Sequence, residues 1–187
     1  MALLQAQLGQ YEAAVDQLVA MLDLTADLRA LPPHGMAVPT LVLIAEAIDS
    51  LHGYRDDRLD VDELARRVDA LLEPHTEDTA LAGWPSVLIA PVLRARGQLA
   101  LATGDPATAL ERFDRAVHKV GGAPAQLAWL RLHRARGLLA LRSGGWTRQV
   151  AELLDSAMDT ATELGIGALA DAVDRERGLL GAPAAVR

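Results

Sequence analysis

The sequence predicts an all-α protein, an α-solenoid of about four helical hairpins followed by a C-terminal helix. Three observations carry this expectation. The 187 residues are 51% apolar but only 3% aromatic, and a core rich in Ala and Leu suits helices better than sheets, which draw on aromatic and β-branched side chains. Apolar positions recur at three- and four-residue spacing in one segment after another, the period of a helix with one buried face. The string RARGQLALATG at Arg94–Gly104 returns as RARGLLALRSG at Arg134–Gly144, 40 positions later. Self-similarity at such a period marks supersecondary units stacked in a row.

The elements follow in order. Leu8–Gly9–Gln10–Tyr11 opens a helix with Val15, Leu18, Val19 and Leu22 on one side. The segment 40–51 is a mostly apolar helix. Asp60 and Glu63 form a capping pair, Asp-x-x-Glu, ahead of Val61, Leu64, Ala65, Val68, Leu71 and Leu72. The first copy of the repeat is a helix ending at Gly104. Asp105 then offers an N-cap and Pro106 the first position of its partner, whose buried face is Ala109, Leu110, Phe113, Ala116, Val117 and Val120. The second copy runs to Gly144–Gly145. Its partner carries Val150, Leu153, Leu154, Ala157, Met158, Ala161 and Leu164. Residues 166–180 read as a last helix. Breakers separate the units at Pro32–Gly35, Gly53–Arg58, Glu73–Asp78 and Gly121–Pro124. The expected organisation is one helical repeat domain over 1–180, with a short first helix, and a disordered tail over 181–187.

Charge and composition bound the function. Lys and Arg number 18 against 25 Asp and Glu, a formal net charge of −7, the opposite of what a general nucleic-acid binder carries. There is no cysteine, hence no disulfide, thiolate metal site or Cys nucleophile. No basic and apolar leader opens the chain. The apolar stretches at 36–44 and 87–93 fall well short of the ~18–20 residues that span a bilayer. A soluble, cytoplasmic protein with no membrane contact is expected.

Gly97, Gly104, Ala109, Phe113 and Ala116, with the string LGQYEAA at Leu8–Ala14, occupy the small and aromatic positions of a tetratricopeptide repeat, and the chain resembles that family. A small residue at Gly97 or Gly137 lets two helices approach closely, Ala109 does the same from the partner helix, and Phe113 fills the remaining gap. The likeness is strongest over 80–120 and 124–164 and weakest over the second unit. Gln149 and Ser156 stand where the pattern wants small residues. The period of 40 and the ending ELLDSAMDTATELGIGALADAV are similar to the C-terminal repeat regions of MalT-like and LuxR-type bacterial signalling ATPases and transcriptional regulators. The resemblance implies a right-handed solenoid whose concave groove takes a partner protein or a small inducer.

Chemistry-bearing motifs are sparse. The sequence has no phosphate loop, no HExxH and no G-x-S-x-G. The histidines read as surface or capping residues, and the acidic run Asp56–Glu63 as a solvated loop entering a helix. Trp84, Trp129 and Trp146 read as plugs between layers. No catalytic residue, metal or cofactor is expected. The arginines are the candidate site. On a helical wheel Arg131, Arg134 and Arg142 share a stripe of about 80°, Arg94 is the repeat equivalent of Arg134, and Gln98 lies one turn beyond Arg94. Facing the groove, they would hold acidic groups of a peptide or a small effector; facing elsewhere, they would pair with local carboxylates. Arg96 and Arg136 point away from the stripe, toward packing or local ion pairs.

The expected function is a non-enzymatic scaffold that binds a protein segment or small effector, serving bacterial signalling or transcriptional control. The alternative is a purely structural or oligomerising module, or a part of a larger LuxR-type ATPase regulator. The short first helix also predicts self-association or partner binding at the N-terminal edge.

Overall fold

The computed structural model describes residues 1–24, 37–51, 54, 57–76, 89–120, 122–141 and 147–181. Among them the chain is helical, with no strand: α1 (Ala2–Gln7), α2 (Tyr11–Leu24), α3 (Ala37–Ser50), α4 (Val61–Leu72), α5 (Ile89–Ala102), α6 (Pro106–Lys119), α7 (Pro124–Ala140), α8 (Thr147–Leu164) and α9 (Gly167–Gly181). Of the expected tail at 181–187, Gly181 is the last residue of α9, and 182–187, like the expected site and plug residues Arg142, Trp84 and Trp146, lie outside the described residues.

Local chemistry ends these helices where the sequence places the signals. At Gly104 the backbone turns left-handed (φ 78°), the conformation that glycine adopts without a Cβ penalty. The Asp105 N–H then donates to the Ala100 carbonyl at 2.8 Å and the Gly104 N–H to the Leu101 carbonyl at 3.1 Å, a Schellman closure of α5. Gly9 closes α1 in the same way, with φ 73° and the Gln10 N–H donating to the Gln5 carbonyl at 2.8 Å. Asp105 caps α6 by accepting from the Thr108 N–H at 3.1 Å, and Pro106 fills the first helical position. Asp60 caps α4 by accepting from the Glu63 N–H at 2.8 Å. The Glu63 carboxylate pairs with Arg66.

Neighbours in sequence pack as pairs: α1 with α2, α3 with α4, α5 with α6, α7 with α8. The first members of the pairs also pack on one another, α1 on α3, α3 on α5, α5 on α7, and α7 on α9. The core falls into three regions. One lies among α1–α5, one around Phe113 between α5, α6 and α7, and one among α7, α8 and α9. Phe113 is fully buried and lies against Gly97.

A polar tie joins α4, α5 and α6. Arg96 donates through Nε to Asp69 Oδ1 at 2.8 Å. Arg112 donates to the same oxygen at 2.9 Å and to the Arg96 carbonyl at 2.8 Å. Two guanidiniums on one carboxylate satisfy a group that would otherwise be costly to bury. Among the described residues no helix is long and apolar enough to cross a membrane.

Candidate functional site

The five helices α1, α3, α5, α7 and α9 converge on a cavity of about 400 Å³, lined by Leu4 of α1 and Leu8 just after it, from α3 by Glu46 and Asp49, from α5 by Arg94 and Gln98, from α7 by Trp129, His133 and Arg136, and from α9 by Ala168, Asp171, Ala172 and Arg175. This lies within the roughly 300–1,000 Å³ of small-molecule sites.

Its floor is a polar network that crosses four helices. Arg136 donates through Nη1 to Asp49 Oδ2 at 2.8 Å and through Nε to Glu176 Oε1 at 2.6 Å. Gln98 Nε2 donates to the same Asp49 oxygen at 3.2 Å. Arg94 pairs with Glu46 and also stands over the Trp129 ring, 6.0 Å from its centre, in reach of the ring quadrupole. Burial works against the charged form of Arg136, but Asp49 and Glu176 outweigh it and raise its pKa.

His133 is the other buried feature. Its ring stacks on Phe113 (centroids 5.6 Å apart) and on Trp129 (6.1 Å), both at 23°. Burial pushes the imidazole well below its ordinary pKa, and the Arg136 and Arg94 charges push the same way. The ring is therefore neutral at pH 7. Its Nδ1 has no hydrogen-bond partner, nor has Gln98 Oε1, and both atoms are buried. An orphaned buried polar atom costs about 1–3 kcal/mol.

The neutral histidine predicts an acid-sensitive fold. The unfolded chain gains a proton near the ordinary value of 6.5, whereas the folded one does not until the pH is much lower. Stability is therefore present above pH 6.5 and is lost as pH falls below it, by up to about 1.4 kcal/mol per pH unit. Urea midpoints measured across this range should show the decline in the wild type. They should show it reduced in His133→Phe, which keeps the ring stack; an unchanged slope would assign the proton elsewhere.

Of the expected arginine stripe, the described members Arg131 and Arg134 do not line this cavity. Arg94 and Gln98 line the cavity. Arg134 instead pairs with Asp114 of α6 at 2.8 Å. Arg131 is not among the cavity's lining residues, and Arg142 lies outside the described residues. Arg136, expected to point away toward packing or local ion pairs, lines the cavity and pairs instead with the distant Asp49 and Glu176. His133, expected on the surface or at a cap, is 2% exposed.

The two copies of Arg-Ala-Arg-Gly thus exchange roles. In α5 the first arginine, Arg94, faces the cavity and the second, Arg96, reaches Asp69 on the preceding α4. In α7 the first, Arg134, reaches Asp114 on the preceding α6, and the second, Arg136, faces the cavity. The glycines follow: Gly97 lies under Phe113 of the helix after it, Gly137 under Leu110 of the helix before it. Two residues subtend about 200° of a helix, so α7 presents nearly the opposite side of the motif.

A signal for His133 was available. Trp129, His133 and Arg136 stand at i, i+4 and i+7, one face of α7. The carboxylates that hold the arginines, Glu46, Asp49 and Glu176, are distant in sequence and offered none. Among the described residues no group of three or more His, Asp or Glu side chains is placed to hold a metal ion. No protein-family model, curated protein or solved structure matches this chain.

Proposed function

We propose that the chain is a right-handed α-solenoid of four tetratricopeptide-like hairpins and a closing helix. In this reading it is a non-enzymatic scaffold that binds a protein segment or a small effector on its concave face, as a regulatory module in bacterial signalling or transcriptional control. The observation that carries the binding role is the cavity itself: its described lining comes from α1, α3, α5, α7 and α9, the helices that pack on one another along the chain. Repeat scaffolds present extended concave surfaces of this kind to their ligands.

The test uses Ala168, an exposed residue at the cavity rim. Ala168→Trp fills the opening from outside the core. A set of cell metabolites and short peptides is screened by thermal shift on the wild type and on this variant. Ligands that raise the wild-type Tm and leave the variant unmoved support the reading. Ligands that shift both equally refute it.

A second reading has an observation of its own. Leu4 of α1, Leu8 just after it and Leu43 of α3 are 50%, 64% and 52% exposed, large apolar side chains of the kind that self-association covers. Sedimentation of the wild type and of Leu8→Glu decides it. A dimer that dissociates in the variant supports an oligomerising edge, and a monomer in both removes it.

A further inference from the structure

We infer that the cavity is a receptor for an uncharged, planar small molecule that donates a hydrogen bond, of the aromatic amide type, and not for an acidic group. This rests on the proposal that the concave face is the binding face, and it names the ligand class.

The charges in the floor are already matched to one another. Arg136 is held by Asp49 and Glu176, and Arg94 by Glu46. An anion entering the cavity meets guanidiniums that are engaged, with three carboxylates behind them. A cation meets the same carboxylates with their arginines in place. In the buried floor either would have to break an internal ion pair to gain one of its own, and a rearrangement of that kind leaves a buried charge without its partner; the other charged lining residues, Asp171 and Arg175 of α9, are exposed and solvated. The valences left open in the buried floor are uncharged. Gln98 is 3% exposed, and its amide has one orientation: Nε2 must face Asp49, because an ionised carboxylate only accepts. Oε1 is thereby turned to a side where it finds no donor. His133 is 2% exposed with Nδ1 unpartnered, and a neutral imidazole can present at that nitrogen either an N–H or a lone pair. The two residues line the same cavity. A group with an N–H beside a carbonyl completes both, the N–H donating to Gln98 Oε1 and the carbonyl accepting from His133 Nδ1–H. Trp129 also lines the cavity, an aromatic neighbour that suits a planar ligand. Leu4, Leu8, Ala168 and Ala172 supply an apolar surround.

Three probes of one shape separate the chemistries: benzamide, which donates and accepts without charge; benzoate, an anion that only accepts; and benzamidinium, a cation that only donates. Binding is read from the indole N–H resonance of Trp129, assigned with Trp129→Phe, at millimolar probe. Benzamide is expected to shift it, with an affinity about tenfold or more above either charged probe. Gln98→Met should weaken benzamide by about tenfold, and Ala168→Trp should abolish the response in a protein whose core is untouched. Circular dichroism and melting confirm that both variants fold. Benzoate or benzamidinium binding at the same resonance as tightly as benzamide would overturn the ligand class while leaving the concave face as the binding face. Benzamide binding that survives Gln98→Met would overturn the assigned contact and the class with it. No response to any probe would mean that water serves the two atoms, which also overturns the class; the metabolite screen then still decides the face.

Discussion

Arg136→Ala is expected to cost roughly 3–5 kcal/mol of folding stability, the range for removing one member of a buried ion pair. The side chains of Asp49 and Glu176 are only 13% and 11% exposed, so losing the guanidinium strands two carboxylates where water reaches them poorly. Arg136 also joins α7 to α3 and α9 at once, so the loss falls on three helices. Chemical denaturation of the variant should give a lower midpoint with a similar slope. The control is replacement of the whole group, Asp49→Leu with Arg136→Met and Glu176→Leu. That triple variant should recover most of the loss, since a well-packed apolar substitute for a buried ion pair is often neutral or better. A single variant as stable as the wild type would mean that the carboxylates find other partners and that the network does not hold the helices.

Gly97→Leu is expected to destabilise the fold by about 3 kcal/mol, the upper part of the range for overpacking. A Cβ at this position would fall against Cε1, Cδ1 and Cζ of Phe113. That ring is fully buried and backed by His133, so it has nowhere to move. Gly137→Leu should cost less, about 1 kcal/mol. The atom a Cβ would meet there is Leu110 Cδ2 at 2.8 Å, the end of a flexible and only partly buried side chain. Melting of the two variants checks the order. Shrinking the ring should rescue the first: Gly97→Ala with Phe113→Leu should be less destabilised than the sum of the single changes, by about 0.5–3 kcal/mol. Equal effects at the two glycines would show that α5 and α6 do not meet at Gly97 as closely as described.

Much of the architecture was legible because it is written in neighbouring residues. Gly104, Asp105 and Pro106 end one helix and start the next through contacts spanning at most five positions, and the Asp60 cap spans three. Buried faces such as Ala109, Phe113 and Ala116 follow from helical period alone. The candidate site was legible only in part. Arg94 and Gln98 were placed in it, but the 40-residue repeat suggested that Arg134 should follow Arg94, and it does not. The carboxylates on the preceding helices do not repeat. Asp69 on α4 takes Arg96, yet its counterpart 40 positions on is Ala109. The acid that α6 offers to α7 is Asp114, whose counterpart on the earlier unit is Pro74. An arginine turns to the carboxylate it can reach, and the helix turns with it.

The sequence by itself determined that the chain is helical, where most of its helices begin and end, and which side chains each can bury, because those properties depend on period and on bonds between near neighbours. Only the tertiary structure decided which side of α7 faces the cavity, that His133 lies buried between two aromatic rings, and that the arginines are neutralised from within. Those outcomes depend on Asp49, Glu46 and Glu176. They come from helices 40 to 90 residues away, and no local pattern says which guanidinium they will meet.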